Sequence, residues 1–424
     1  MRKNTFDWFR LDNAAKIFPG QNTRAWSNVF RLGAELKSEV DPEILRVALN
    51  NTLKRIPTFN VRIRNGAFWH YFEKNPGEAT IKPDVKNICY RINFKENNGF
   101  LFRVYYRGKR INGDVYHALC DGYGAVVFLG TLVGEYLKLQ GEEISYNNFV
   151  LDTSEAPRES ELEDSYNKYA DSKARFKRPD KWVYHYKGTK MPMHTANYTQ
   201  AEMSFEQLHK ISKSYGVTVT EFLAALVIDV LYRQQIKEGK KKQREISAQI
   251  PVNLRKAFPS ETLRNFVLCL RVVIDPTLGE YTFEEILRSV SLQLKLANDK
   301  KLINALMTEN LKLERHTVLK YLPLPLKDFG VGISFAITAE QTTSTLVSSL
   351  GVIKFPEKVE EHIEKLMFFT GAGMVNGSRC ATITFKDKLT FSFSNCYQES
   401  DLEREFYTRL VKMGVHVKIE SNRD

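Results

Sequence analysis

The spacing of apolar residues divides the chain into helices and strands. Asp41-Pro42 supplies a capping side chain and a proline at the first helical position, and the apolar residues that follow predict a helix over about 42–55. Residues 59–64 alternate apolar and polar, Asn65-Gly66 marks a turn, and the strand pattern resumes over 68–72, which predicts a β-hairpin. Further strands are predicted near residues 88–95, 100–106 and 110–117.

The apolar period changes at Gly122. Apolar positions between 126 and 137 recur at helical spacing, so a strand is predicted to end at His117 and a helix to run from Gly122 to Leu139. In the second half, a longer apolar helix is predicted over about 220–237 with Thr220 as its cap, after a shorter helix capped by Ser204. Other predicted elements are strands near 196–205, 245–251, 266–274, 331–338, 379–385 and 389–395, and helices over about 282–298, 303–321 and 402–413.

These elements predict an α/β chain with mixed sheets in two halves. At 424 residues the chain is too long for one ordinary core. Residues 152–181 are crowded with charged residues, Ser and Pro, as is typical of an exposed connection. We therefore predict an N-terminal subdomain over 1–160, a linker over 161–190 and a C-terminal subdomain over 191–424.

Composition and charge narrow the range of partners. Hydrophobic residues make up 43% of the chain, which indicates a folded globular protein. The 62 Lys and Arg exceed the 50 Asp and Glu by 12, which favours an anionic partner such as a phosphate-bearing cofactor, an acidic carrier, nucleic acid or a membrane surface. Nucleic acid is not expected, because the sequence lacks a basic stripe interleaved with aromatic residues.

Cysteine usage and the N-terminus predict a cytoplasmic protein. The five cysteines are odd in number and scattered, so neither a disulfide framework nor a zinc site is indicated. No signal peptide is evident, and the longest apolar stretch, Phe222 to Tyr232, is too short to span a bilayer and contains Asp229. We expect no metal and no transmembrane segment.

Candidate chemistry is concentrated in the stretch Tyr116-His-Ala-Leu-Cys-Asp-Gly122. A histidine can take a proton from an alcohol, an amine or water near neutral pH, so His117 suits general base work. Asp121 would point away from the imidazole after the loop reverses, and it could hold the loop by pairing with an arginine. Gly122 lets the backbone turn at a helix start, where free N–H groups could face an anion.

Two alternatives stay open for this stretch. His117 could be a structural histidine at a strand end, with its ring nitrogens hydrogen-bonded within the fold, Asp121 as a helix cap and Gly122 as a turn residue. Cys120 could act as a thiol nucleophile, although no third orienting group is evident in the sequence.

Several stretches carry a resemblance to a known family. Around the His-x-x-x-Asp-Gly stretch, the sequence resembles the coenzyme A-dependent acyltransferase superfamily, which includes chloramphenicol acetyltransferase and the condensation domains of nonribosomal peptide synthetases. It is most similar to the stand-alone bacterial alcohol acetyltransferases. The stretches that carry the similarity are Arg10-Leu-Asp-Asn-Ala-Ala-Lys-Ile-Phe-Pro19, Leu101-Phe-Arg-Val-Tyr-Tyr106, Pro251-Val-Asn-Leu-Arg255, Leu263-Arg-Asn-Phe266 and Ser348-Ser-Leu-Gly351.

The resemblance implies a fold and a role for each site residue. It implies two chloramphenicol acetyltransferase-like α/β subdomains in a V-shaped pseudo-dimer, with a tunnel between them and His117 at its centre. His117 would deprotonate the acceptor for direct attack on a thioester, and Asp121 would be structural and pair with Arg255. Tyr116 stands where condensation domains carry a first histidine, and Ser349 replaces an asparagine, as an oxyanion donor or a loop-holding donor.

The expected function is O-acyl transfer from acyl-CoA, with acetyl-CoA as the expected donor, to a small-molecule alcohol or amine. A condensation-type enzyme that takes acyl groups from an acyl carrier protein, a non-catalytic acyl-binding homologue and a thioesterase are the alternatives. The basic run Lys237 to Arg244 could meet the phosphates of coenzyme A or lie in a solvated loop. The chain is expected to be a monomer.

Overall fold

The protein is described here by a computed structural model, which covers residues 7–22, 27–171, 173, 181–192, 195–239, 243–316, 321–334, 341–373 and 377–423. Within these ranges the strands form three sheets of three, five and seven strands. The strands are β1 (Trp8–Arg10), β2 (Val29–Leu36), β3 (Val61–Asn65), β4 (His70–Lys74), β5 (Ile81–Pro83), β6 (Phe102–Arg107), β7 (Arg110–Tyr116), β8 (Asn197–Ser204), β9 (Ile246–Asn253), β10 (Val267–Ile274), β11 (Thr345–Ile353), β12 (Ile363–Thr370), β13 (Ser378–Phe385), β14 (Lys388–Asn395) and β15 (Val417–Ser421).

Helices cover the sheets and connect them. A short 3-10 turn at Leu254–Lys256 follows β9 and carries Arg255. The α-helices are α1 (Phe18–Gln21), α2 (Pro42–Arg55), α3 (Gly122–Leu139), α4 (Ser165–Tyr169), α5 (Phe205–Ser214), α6 (Val219–Lys237), α7 (Phe283–Ala297), α8 (Lys300–Arg315), α9 (Leu324–Ser334), α10 (Glu357–His362) and α11 (Asp401–Lys412).

The five-stranded sheet belongs mainly to the N-terminal half and has the order β12-β2-β7-β6-β5. β2, β6 and β7 pair antiparallel, while β5 joins β6 in parallel. Its edge strand β12 comes from the C-terminal half and pairs antiparallel with β2, with Phe368 opposite Leu32. One strand of the C-terminal half therefore completes the sheet of the N-terminal half.

The seven-stranded sheet belongs to the C-terminal half and has the order β10-β9-β11-β13-β14-β8-β15. β11 runs parallel to both β9 and β13, and the other pairs are antiparallel. The predicted mixed sheets are confirmed. One hydrophobic core lies around the N-terminal sheet and extends to β13, and a second fills the C-terminal half around α6.

Helix α3 begins where the sequence predicts it, at Gly122. The Asp121 carboxylate accepts a hydrogen bond from Gly124 N at 3.1 Å and so caps the helix. The helix is buried on nearly every side because it packs against α2 and the N-terminal sheet. Gly124 permits close approach of the second half of the chain, since a Cβ there would lie 2.1 Å from the backbone oxygen of Leu263.

Three local predictions are wrong. Thr218, not Thr220, caps α6: its hydroxyl accepts from Glu221 N at 3.2 Å, and the Glu221 carboxylate accepts from Thr218 N at 2.7 Å. Residues 88–95 form no strand, and Cys89 with φ of 55° interrupts the extended backbone there. Residues 331–334 belong to helix α9, while 335–340 lie outside the described residues. The boundaries at residues 160 and 190 stay a prediction.

Candidate active site

A cavity of about 520 Å³ lies between the two halves of the chain. Both halves contribute to its wall, so neither half forms the site alone. The lining residues include Asn28, Phe30, His117, Gly122 and Tyr123 from the N-terminal half and Asn253, Arg255, Lys256, Ser348, Ser349 and Arg379 from the C-terminal half.

His117 follows the last residue of β7, and its ring faces this cavity. Its backbone N–H donates to the backbone oxygen of Asn28 at 2.9 Å, which holds the chain in place after the strand. The imidazole stacks on the Phe18 ring, with centroids 4.8 Å apart and planes at 22°, and the Phe30 ring meets it edge-on at 5.2 Å. Nδ1 lies 3.1 Å from Oδ1 of Asn265. The ring is thus fixed by contacts on several sides.

Burial lowers the pKa of His117 below its ordinary value of 6.5. Its own backbone carbonyl, the Asp121 carboxylate and the Asn265 amide partly oppose this effect, and the positive charge of Arg379 adds to it. The imidazole is therefore neutral at pH 7, the protonation state that a general base requires.

Asp121 is fully engaged in structural contacts. Its Oδ2 accepts from Arg255 Nη1 at 2.7 Å and from Phe266 N at 2.8 Å, while Oδ1 caps α3. Arg255 also donates to the backbone oxygens of Thr262 at 2.9 Å and Arg264 at 2.6 Å. The contact between Asp121 and Arg255 that the resemblance implies is present, and it links the start of α3 to the loop before β10.

The other predicted residues differ in their access to the cavity. Gly122 lines it, and a Cβ there would lie 2.4 Å from the Leu350 side chain. Ser349 also lines it, next to an irregularity in the pairing of β11 with β13, and its hydroxyl lies 3.1 Å from that of Thr220. Tyr116 lies in the core, 1% exposed, where it contacts other aromatic rings instead of the cavity.

Cys120 does not support a thiol mechanism. Its side chain is completely buried in the N-terminal core, and burial raises the pKa of its thiol well above the ordinary value. A protonated, enclosed thiol is a packing residue. None of the five cysteines, all of which lie in the described ranges, forms a disulfide.

The sequence did not assign roles to three residues that contact or orient His117. Phe18 stacks on its ring, Asn265 faces its Nδ1, and Asp12 accepts from the Asn265 side chain at 3.3 Å. Each belongs to a stretch that carries the resemblance, Arg10–Pro19 or Leu263–Phe266. The similarity of these stretches to the family could have drawn attention to the three residues, although it did not predict their contacts with His117.

The basic run is described only in part. Residues 240–242 lie outside the described residues, and Lys237 at its start lies 3.7 Å from Glu405. In the described parts of the chain, no cluster of three or more His, Cys, Asp or Glu side chains could hold a metal. Over the same parts, no individual helix is long and apolar enough to cross a bilayer. α5 and α6 meet that criterion only when taken together, across a bend of 80°.

Solved structures share this fold over nearly the whole chain. Polyketide synthase associated protein 5 from Mycobacterium tuberculosis has a TM-score of 0.61 and 13% identity, over 95% of this chain and 96% of its own. TRI101 from F. graminearum, in complex with coenzyme A and deoxynivalenol, has a TM-score of 0.63 and 10% identity over 98% and 100% of the two chains. The nonribosomal peptide synthetase FmoA3 has a TM-score of 0.62 and 14% identity over 98% of this chain and 44% of its own.

The sequence comparisons identify no family for this chain, because no protein-family model and no curated protein matches it. The structural similarity, at low identity, is to chloramphenicol acetyltransferase-like and condensation-domain proteins. The predicted fold class is confirmed: the chain has the mixed α/β, two-subdomain fold of the chloramphenicol acetyltransferase type.

Proposed function

We propose that this protein is an acyltransferase that moves an acyl group from acyl-CoA to a hydroxyl of a small molecule, with His117 as general base. The observation that carries the proposal is the placement of a neutral, fixed imidazole on the wall of a cavity that both halves enclose. Since Nδ1 is engaged by Asn265, Nε2 is the nitrogen left to meet an incoming group. Such a base contributes about 10²–10⁴-fold to the rate of a proton-transfer step.

In the proposed reaction His117 takes the hydroxyl proton as the acceptor oxygen attacks the thioester carbonyl carbon. The resulting oxyanion collapses, the carbon–sulfur bond breaks, and the imidazolium returns the proton to the departing thiolate. No acyl-enzyme forms, in agreement with the buried Cys120. Ser349 is our candidate donor to the oxyanion, because its hydroxyl lies in the cavity wall and can accept from Thr220 while donating to substrate.

Charge in the cavity supports an anionic co-substrate. Arg255, Lys256 and Arg379 line it, whereas the carboxylate among the described lining residues, Asp121, is already paired with Arg255. The phosphates of coenzyme A fit this excess of positive charge. Structural neighbours are consistent with both reactants, since TRI101 was solved with coenzyme A and deoxynivalenol, and SgcC5 from Streptomyces globisporus with a naphthyl ethanediol.

A second candidate is condensation-type transfer from a carrier protein to an alcohol or amine. It is favoured by the likeness to FmoA3, in which this chain matches 44% of a larger synthetase. Tyr116 lies in the core where condensation domains carry a first histidine, which favours the CoA-dependent reaction instead. Acetyl as the acyl group, a monomeric chain and a cytoplasmic location remain our predictions.

The test is a screen of acyl-CoA donors and loaded carrier proteins against alcohols and amines, read by mass spectrometry and free-thiol release. His117→Ala should lose transfer by about 10²–10⁴-fold while it still folds, with the far-UV circular dichroism spectrum of the wild type. His416→Ala, a change at an exposed histidine, is the matched control and should retain full activity. Turnover retained by His117→Ala would refute the proposal, and activity with carriers alone would select the second candidate.

A further inference from the structure

The side-chain amide of Asn265 has only one orientation that satisfies its surroundings. Asn265 is 1% exposed, and its Nδ2 lies 3.3 Å from Oδ2 of Asp12 and 3.1 Å from the backbone oxygen of His117. A carboxylate and a carbonyl oxygen can only accept hydrogen bonds. Both N–H groups of the amide are thus assigned to these acceptors, and the amide oxygen must face the third neighbour, Nδ1 of His117, at 3.1 Å.

Two acceptors bear on which imidazole nitrogen carries the proton: the Asn265 amide oxygen in this orientation and the backbone carbonyl of His117 itself. An amide oxygen cannot donate, so the hydrogen bond to Asn265 exists only if Nδ1 of His117 is protonated. A neutral imidazole carries one N–H, which leaves Nε2 with a free lone pair. We propose that Asn265, anchored by Asp12, is a positioning residue that holds His117 as the Nδ1–H tautomer and keeps Nε2 as the proton acceptor. This inference rests on the proposed role of His117 as base.

Asp12 is itself held as an anchor. Its Oδ1 accepts from Ala15 N at 2.8 Å, its Oδ2 lies 3.7 Å from Nε of Arg264, and the side chain is completely buried. Burial raises its pKa to about 6, so above that pH it is a carboxylate and has no hydrogen to offer Asn265. Phe18, six residues later, stacks on the His117 ring. The segment from Asp12 to Phe18 therefore supports both the orientation and the tautomer of the base.

The experiment measures the tautomer directly. In protein with ¹⁵N-labelled histidines at pH 8, the two ring nitrogens of His117 are assigned by comparison with His117→Ala, and the N–H is located by ¹⁵N chemical shift. We expect the proton on Nδ1 in the wild type and a shift of population toward Nε2 in Asn265→Leu, which has similar volume but no polar atoms. Because only the correct tautomer can act as base, kcat should fall by the same factor as that population while KM is unchanged.

A matched variant separates this role from general stability. Asn395 is equally buried, and its amide is bonded to Glu403 and Tyr397 in the C-terminal core. Asn395→Leu should lose stability comparably and leave the His117 spectrum unchanged. If Asn265→Leu does not fold, Asn265→Ala is measured in the same way.

Two results would overturn the inference. One is a wild-type spectrum with the proton on Nε2, and the other is an unchanged Nδ1–H tautomer after removal of the Asn265 amide. The spectrum does not depend on turnover, so failure of the proposed reaction and failure of the tautomer assignment can be told apart.

Discussion

Replacing Asp121 with alanine should destabilise the whole chain, because it breaks the buried ion pair that joins α3 to the loop before β10. The side chains of Asp121 and Arg255 are 1% and 7% exposed, and their charged atoms lie 2.7 Å apart. Removal of the carboxylate leaves the guanidinium as an uncompensated buried charge. It also leaves the N–H groups of Gly124 and Phe266 without their acceptor.

The expected loss in free energy of unfolding is about 3–5 kcal/mol, the usual cost of removing one partner of a buried pair. The pair should couple in a double-mutant cycle. Because Asp121→Ala/Arg255→Met removes the stranded charge, its loss should be smaller than the sum of the two single losses by about 0.5–3 kcal/mol.

Urea unfolding followed by tryptophan fluorescence and far-UV circular dichroism measures these differences. Glu43→Ala is the matched control, since it breaks an exposed ion pair with Arg46 at 3.0 Å. Exposed ion pairs contribute little to the free energy of unfolding, so this variant should unfold at the same urea concentration as the wild type. If Asp121→Ala unfolds at the same urea concentration as the wild type, or if the two single losses simply add, the ion pair does not stabilise the contact between α3 and the loop before β10.

Three further predictions concern the cavity residues His117 and Ser349 and the packing of helix α3. The pKa of His117 is lowered by burial, so an NMR titration of its ring should give a midpoint below 6.5, and activity should be lost only as pH falls through that lower value. A midpoint at or above 6.5 would contradict this. Gly124→Ala should cost about 1–3 kcal/mol in chemical denaturation, because the new methyl group meets the backbone oxygen of Leu263. Gly330→Ala, where the added Cβ meets nothing within 4 Å, is its control and should not destabilise the protein. Ser349→Ala should lower kcat about 10²–10³-fold in steady-state assays if its hydroxyl stabilises the oxyanion. An unchanged kcat would mean that Ser349 only supports the irregular part of β11 through its contact with Thr220.

Elements with a strong local signal were predicted well from the sequence. The helices over 42–55 and 122–139 have a capping aspartate and a clear apolar period, and both were found within these bounds. The strand at 29–36 was not predicted, because Arg31 interrupts its apolar run. That arginine is buried because Asp114, on the neighbouring strand, and Asp84 pair with it at 2.6 and 2.7 Å. Burial of a charge depends on a partner distant in sequence, which local pattern cannot show.

The cap of α6 could have been read from the sequence, because Thr218 has Glu221 three residues later, the spacing of a capping box, whereas Thr220 has Leu223 there. The strand β12 illustrates the limit of local pattern. The strand at 363–370 has no pattern that would assign it to the N-terminal sheet. It is placed there by pairing with residues more than 300 positions earlier, such as Leu32.

Neighbouring residues alone account for the local chemistry of the site: a histidine after a strand, an aspartate that caps the next helix and a glycine at its first position. The surroundings of that histidine depend on how the chain folds. Phe18 and Asn265 come from segments about a hundred residues or more from His117, and their convergence with the cavity wall buries its ring, lowers its pKa and orients it. Such contacts depend on the packing of two halves, and packing between distant segments leaves no periodic trace in the chain.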